Sequence, residues 1–82
     1  MYFVYVLYSK DYDRIYIGMT KNISNRLQEH NVGQNKSTKA FVPWEMVYSE
    51  NLETRILARA KEIKLKSSSG RRFIRKNYLT IT

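Results

Sequence analysis

The sequence predicts an α+β fold, a three-stranded antiparallel sheet flanked by helices in the order β-β-α-β-α-α. Three observations predict it. An unbroken aromatic and β-branched run near the N-terminus is followed, across a short polar turn, by a second such run. A later segment alternates apolar and polar residues with a period of two. Three other segments carry helix signals, either apolar residues at helical spacing or the caps and stops that bound a helix.

Residues 2–8, YFVYVLY, form a strand covered on both faces, because no polar residue interrupts the run. Ser9 to Arg14 is a polar turn, and Ile15-Tyr16-Ile17-Gly18 returns as the partner strand of a hairpin. Thr20 or Asn22 can cap a helix whose apolar positions are Ile23 and Leu27, and Gly33 stops it. Residues 34–42 are a polar, basic loop without periodicity. Pro43 introduces a third strand, Trp44 to Glu50, with Trp44, Met46 and Tyr48 on the buried face. A helix over about residues 53–66 places Ile56, Ala60 and Ile63 in an apolar stripe. Ser67 to Gly70 breaks it, and a last short helix sets Phe73, Ile74, Asn77 and Tyr78 on one face. Trp44, Phe73, Ile56, Ile63 and most of the first strand read as core.

With 82 residues the chain has room for one domain, residues 1–82, around one small core. No apolar run approaches the roughly 20 residues that span a bilayer, so no membrane association is expected. The absence of cysteine excludes disulfides, thiolate metal sites and Cys nucleophiles, and suits a cytoplasmic protein. Fifteen Lys and Arg against seven acids give a net charge of +8. Residues 54–82 hold nine of those bases and one acid, Glu62. A field of that sign attracts polyanions, phosphate backbones first among them.

Within this frame a few residues can carry chemistry. Tyr5 and Tyr16 lie on paired strands close to Gly18, which would admit a ligand to the backbone; a buried tyrosine is otherwise packing with a polar handle. Arg26 and His30 are spaced i, i+4, on a flank that borders Ile23 and Leu27. With few acids nearby, Arg26 lacks an obvious ion-pair partner and suits a phosphate, which its guanidinium matches with two parallel hydrogen bonds. The plain alternative is a solvated pair with Glu29 or Glu50. Glu62 is either an i, i+4 partner of Lys66 or one hard oxygen ligand for Mg²⁺.

Taken together, VYV at 4–6, YIG at 16–18, NRLQEH at 25–30 and ARAKEIKLK at 58–66 resemble, in order and spacing, the GIY-YIG nuclease family. SSGRRFIRK at 68–76 is similar to the small bacterial members. The resemblance covers essentially the whole chain and implies a divalent-metal-dependent nuclease that hydrolyses phosphodiesters at one bound Mg²⁺ or Mn²⁺. It assigns Tyr5, Tyr16, Arg26 and His30 to catalysis and Glu62 to the metal. Gly18, Lys21, Asn77, Arg71 and Arg72 fall to substrate binding. VYV stands where the family has GIY, keeping the tyrosine. Met19-Thr20 follows YIG where excision-repair members have a lysine, a role that Lys21 would have to fill. Either Tyr5 or His30 could serve as the base. DNA is expected ahead of RNA, with low sequence specificity unless a homodimer or a protein partner adds to it. The competing reading is a non-catalytic nucleic-acid-binding module on the same fold, and a structural protein with a basic face comes third.

Overall fold

The computed structural model describes residues 1–79; residues 80–82, the end of the expected domain, lie outside the described residues. The element order is β1 (Tyr2–Ser9), β2 (Arg14–Thr20), α1 (Ile23–Asn31), a 3-10 turn (Lys39–Phe41), β3 (Glu45–Leu52), α2 (Arg55–Lys66) and α3 (Ser68–Tyr78). The three strands form one antiparallel sheet in the order β2-β1-β3, so the expected fold class holds.

β1 is the middle strand, which is why its apolar run is continuous. Successive side chains point to opposite faces, and both faces are covered. Val4, Val6 and Tyr8, with Ile17 of β2, pack against Ala58 and Leu65 of α2, Ile74 of α3 and Leu79. Tyr5 and Leu7 pack on the other side against Trp44, with Ile23 and Leu27 of α1, Tyr16, Phe41, Val42 and Met46 around them. The hairpin turn holds Asp13 at φ 51°, a left-handed conformation that Asp tolerates better than most residues. Its carboxylate accepts from Tyr8 Oη and Arg75 Nη1, both at 2.9 Å, tying the turn to α3.

Helix boundaries follow local chemistry. Asn22 occupies the cap position of α1 without a side-chain cap bond; instead Thr20 Oγ1 accepts from the Asn22 N–H. Gly33, at φ +84°, donates its N–H to the His30 carbonyl and ends the helix as expected. Thr54 caps α2 through the Leu57 N–H. The break between α2 and α3 is shorter than Ser67–Gly70: Ser67 alone interrupts, accepting from the Gly70 N–H as the cap of α3.

Three expectations about the core are corrected. Trp44 is buried but precedes β3, and the pairing slips between Val6↔Tyr48 and Leu7↔Met46, leaving Val47 as a bulge. The bulge sends Met46 to the Tyr5–Leu7 side and Tyr48 to the Val4–Val6 side, so the two do not share a face. On α2 the Ile56/Ala60/Ile63 stripe faces outward, with Ile56 81% and Ile63 57% exposed, while Ala58, Glu62 and Leu65 face the sheet. Phe73 is half-exposed, and α3 buries Gly70 and Ile74 instead.

Gly70 explains the setting of α3. A Cβ there would meet the Lys64 carbonyl oxygen and lie 2.6 Å from Leu65 Cα, so only glycine lets α3 start this close to the end of α2. That contact rotates Ile74 inward and leaves Phe73 at the rim, edge-on to Tyr78 at 5.9 Å. Gly70→Ala is expected to destabilise the protein by about 1–3 kcal/mol, because the obstacle is backbone and cannot rotate away. For a domain this small that lowers the melting midpoint by roughly 4–8 °C per kcal/mol. A midpoint at or above wild type would show that α3 shifts freely.

Candidate active site

The pairing of β1 with β2 sets Tyr5 opposite Gly18 and Leu7 opposite Tyr16, so both tyrosines share one face of the sheet. The Tyr5 ring leans across the strand pair. A Cβ on Gly18 would lie 2.6 Å from Tyr5 Oη and 3.0 Å from the Tyr16 ring. The close approach that requires glycine here is therefore made by the Tyr5 hydroxyl, where a ligand was expected. Tyr16 stacks at a tilt, its ring centroid 4.8 Å from that of His30 and 6.3 Å from that of Tyr5.

α1 crosses this face and presents Arg26 and His30 one turn apart. Arg26 Nε donates to Tyr5 Oη at 2.9 Å, and the same hydroxyl lies 2.9 Å from His30 Nε2. His30 Nδ1 lies 2.8 Å from Thr38 Oγ1. Tyr5, His30 and Thr38 are all fully buried, whereas the Arg26 side chain is 29% exposed. Arg26 does not lack a partner: its Nη1 pairs with Glu29 Oε1 at 2.9 Å, one of the two carboxylates the plain reading named. Glu29 is close enough because i, i+3 spacing on a helix brings the two side chains together. Nη2 of Arg26 has no protein acceptor among the described residues.

The charges follow from these contacts. Burial raises the Tyr5 pKa above that of a free phenol, with Arg26 offsetting only part of the rise. Burial and then the adjacent Arg26 charge push the His30 pKa down, against a weaker pull from Glu29. Near neutral pH the cluster is therefore a neutral phenol and a neutral imidazole beside a permanent guanidinium.

Glu62 comes from α2. It is nearly buried on the same side of α2 as Ala58 and Leu65, and no hydrogen bond or ion pair joins it to Tyr5, Arg26 or His30 among the described residues. Its Oε1 pairs with Arg59 at 2.9 Å and its Oε2 with Lys66 at 3.1 Å. Burial raises its pKa, but Lys66 and Arg59 outweigh that and hold the carboxyl below the usual range, so it is anionic. Among the described residues no three His, Asp or Glu side chains gather into a cage. One anionic carboxylate is still a donor set that fits Mg²⁺, which commonly takes one or two carboxylates and fills its shell with water and phosphate. Arg59 and Lys66 are both about half-exposed or more, so either can swing into solvent to free an oxygen.

The remaining candidates lie outside the cluster. Lys21 sets its ammonium 5.4 Å from the Tyr2 ring centroid, a cation–π contact on the surface. Asn77 is exposed and bonds back to the Phe73 carbonyl. Arg71 donates to the carbonyl of Lys66 at the end of α2, and Arg72 is exposed. Thr38 was not singled out in the sequence, since a threonine in an aperiodic polar loop carries no signal of its own. What places it is Trp44, whose Nε1 donates to the Thr38 carbonyl at 2.9 Å.

Residues 1–77 match the GIY-YIG catalytic domain. The chain is 35% identical over 85 residues to a UPF0213 protein of Pediococcus pentosaceus, covering 99% of this chain and 88% of the relative. A UPF0213 protein of Natronomonas pharaonis is 35% identical over 69 residues, 83% of this chain and 80% of that protein. One of Staphylococcus aureus strain Mu3 is 33% identical over 75 residues, 90% of each. No solved structure matches. With the tyrosine pair, the Arg–His helix and the β-β-α-β-α-α order in place, the chain belongs to the GIY-YIG family, a family of nuclease type.

Proposed function

We propose that this protein is a divalent-metal-dependent endonuclease that hydrolyses phosphodiester bonds, in DNA ahead of RNA. The observation that carries the reading is the partly exposed Arg26 guanidinium held by the buried Tyr5 hydroxyl, with no acceptor for its Nη2 edge among the described residues. That edge suits a phosphate oxygen, and a fixed cation there would offset charge developing on the phosphorus oxygens. The charge distribution supports a nucleic-acid substrate: residues 1–53 carry six bases and six acids, so the whole excess belongs to residues 54–82.

His30 has both ring nitrogens engaged by protein groups, so in our reading the water proton reaches it through another residue. Tyr5 is that residue. As water attacks phosphorus, its proton passes to Tyr5 Oη while the Tyr5 proton passes to His30 Nε2. The water O–H bond breaks, the P–O bond forms, and imidazolium results. A phenol whose pKa burial has raised is a poor base alone, and the imidazole supplies the acceptor it needs. Glu62 would hold the Mg²⁺ or Mn²⁺, which when bound polarises a phosphate oxygen and stabilises the leaving oxygen.

A second reading, a nucleic-acid-binding module without turnover, is favoured by the two cations paired with Glu62. The purified protein incubated with labelled linear, branched and single-stranded DNA and RNA, with and without Mn²⁺, decides between them. Cleavage that appears only with metal is expected. Salt-sensitive binding with no turnover on any substrate would overturn the enzyme in favour of the module.

A further inference from the structure

We propose that Thr38 is a positioning residue, whose hydroxyl accepts the Nδ1 hydrogen of His30 and so holds the imidazole with its bare Nε2 toward Tyr5. The inference rests on the reading of Tyr5 and His30 given above, and its evidence is a count of hydrogens in a closed network. Arg26 Nε–H can only donate, so Tyr5 Oη accepts from it. The Tyr5 hydrogen then needs an acceptor inside a fully buried site, and His30 Nε2, at 2.9 Å, is its partner among the described residues. Nε2 must therefore be bare, and the imidazole hydrogen sits on Nδ1, facing Thr38 Oγ1. Thr38 accepts it and sends its own hydrogen to the Asn35 carbonyl at 3.4 Å.

The opposite tautomer fails on the same count. With the hydrogen on Nε2, Tyr5 Oη would accept from both Arg26 and His30, and its own hydrogen would be left buried without an acceptor, a cost that folded proteins avoid. A doubly protonated ring is disfavoured by its burial beside Arg26. The groups that face His30 are Arg26 and Glu29 from α1, Tyr5 from β1, Tyr16 from β2 and Thr38 from the loop. Arg26, acting through Tyr5, sets the tautomer, and Thr38 is the group that accepts the Nδ1 hydrogen it leaves.

Thr38 is itself held rigidly for this purpose. Trp44 Nε1 and the Phe41 N–H both donate to its carbonyl, at 2.9 and 3.1 Å. The Asn31 side chain, next to His30 on α1, accepts from the Trp44 N–H at 2.6 Å and donates to the Trp44 carbonyl at 3.0 Å. The loop and the helix are thus locked together on either side of the imidazole.

His30 is the single histidine of the chain, so its ring nitrogens can be read without assignment by ¹⁵N NMR. Wild type is expected to show the neutral Nδ1–H tautomer. Thr38→Val keeps the shape and removes the acceptor; it is expected to lose the hydrogen-bonded Nδ1 proton resonance and to cleave roughly tenfold more slowly. Thr38→Ser restores the hydroxyl and is expected to recover both, which also covers any folding defect in the valine variant. An Nε2–H tautomer in wild type, an unchanged Nδ1 proton resonance in Thr38→Val, or a serine variant that behaves like valine would each overturn the proposal. The NMR result does not depend on turnover. A protein that cleaves nothing but shows these resonances would overturn the nuclease reading and leave the effect of Thr38 on His30 standing.

Discussion

Arg26→Ala is expected to reduce cleavage by roughly two orders of magnitude or more, the usual consequence of removing one donor aimed at developing charge. The structure sharpens the expectation. Arg26 is the exposed member of its cluster, and its pKa is raised first by the Tyr5 hydrogen bond, so it is cationic at every usable pH. Removing it also frees Glu29, but that carboxylate is over a third exposed and rehydrates cheaply. The fold should therefore survive, and a melting curve checks this. Arg26→Lys should recover little, since an ammonium cannot bond Tyr5 Oη and present a second edge to phosphate together. A lysine variant that cleaves like wild type would remove the role assigned to the guanidinium.

Glu62→Gln has the second large effect. If Glu62 holds the metal, glutamine removes the charge that fixes it, and cleavage should fall on the order of a hundredfold or more at any practical Mg²⁺ concentration. Metal-free binding of DNA should stay level or tighten, because a negative charge leaves a basic surface. Stability should change by less than about 1 kcal/mol, since Arg59 and Lys66 are both substantially exposed and regain water. If Glu62 only anchors those two cations, cleavage would persist in the folded variant. A nicking assay, a metal-free binding titration and a melting curve on the two proteins distinguish these cases, and persistent cleavage would take the metal site out of the mechanism.

The burial of Glu62 bears on the same question. α2 offers two faces to the sheet, one lined by Ile56, Ala60 and Ile63 and one by Ala58, Glu62 and Leu65. Hydrophobicity alone selects the first, yet the helix buries the second. A helix that turns two isoleucines to solvent and a carboxylate inward breaks its own pattern, and such breaks concentrate at functional sites. The small Ala58 side chain, with no exposed surface, fits the packing of α2 against Val4 and Val6, and the Gly70 contact at Leu65 fixes its far end.

The sequence by itself determined the strand and helix order, the covering of β1 on both faces and the Arg26–His30 face. Each of these is written in local periodicity, in an uninterrupted apolar run or in i, i+4 spacing, and needs no knowledge of distant partners. The order of YIG, the Arg–His helix and the glutamate helix also made the family legible, because it is a pattern along the chain. Only the tertiary structure decided which face of α2 is inward, that Val47 bulges and splits Met46 from Tyr48, and that Gly18 makes room for Tyr5. It alone brought Thr38 to His30, eight residues on and across an aperiodic loop. Those outcomes depend on close approaches between segments far apart in sequence, where a missing Cβ or one hydrogen-bonded indole outweighs the hydrophobic pattern of either segment.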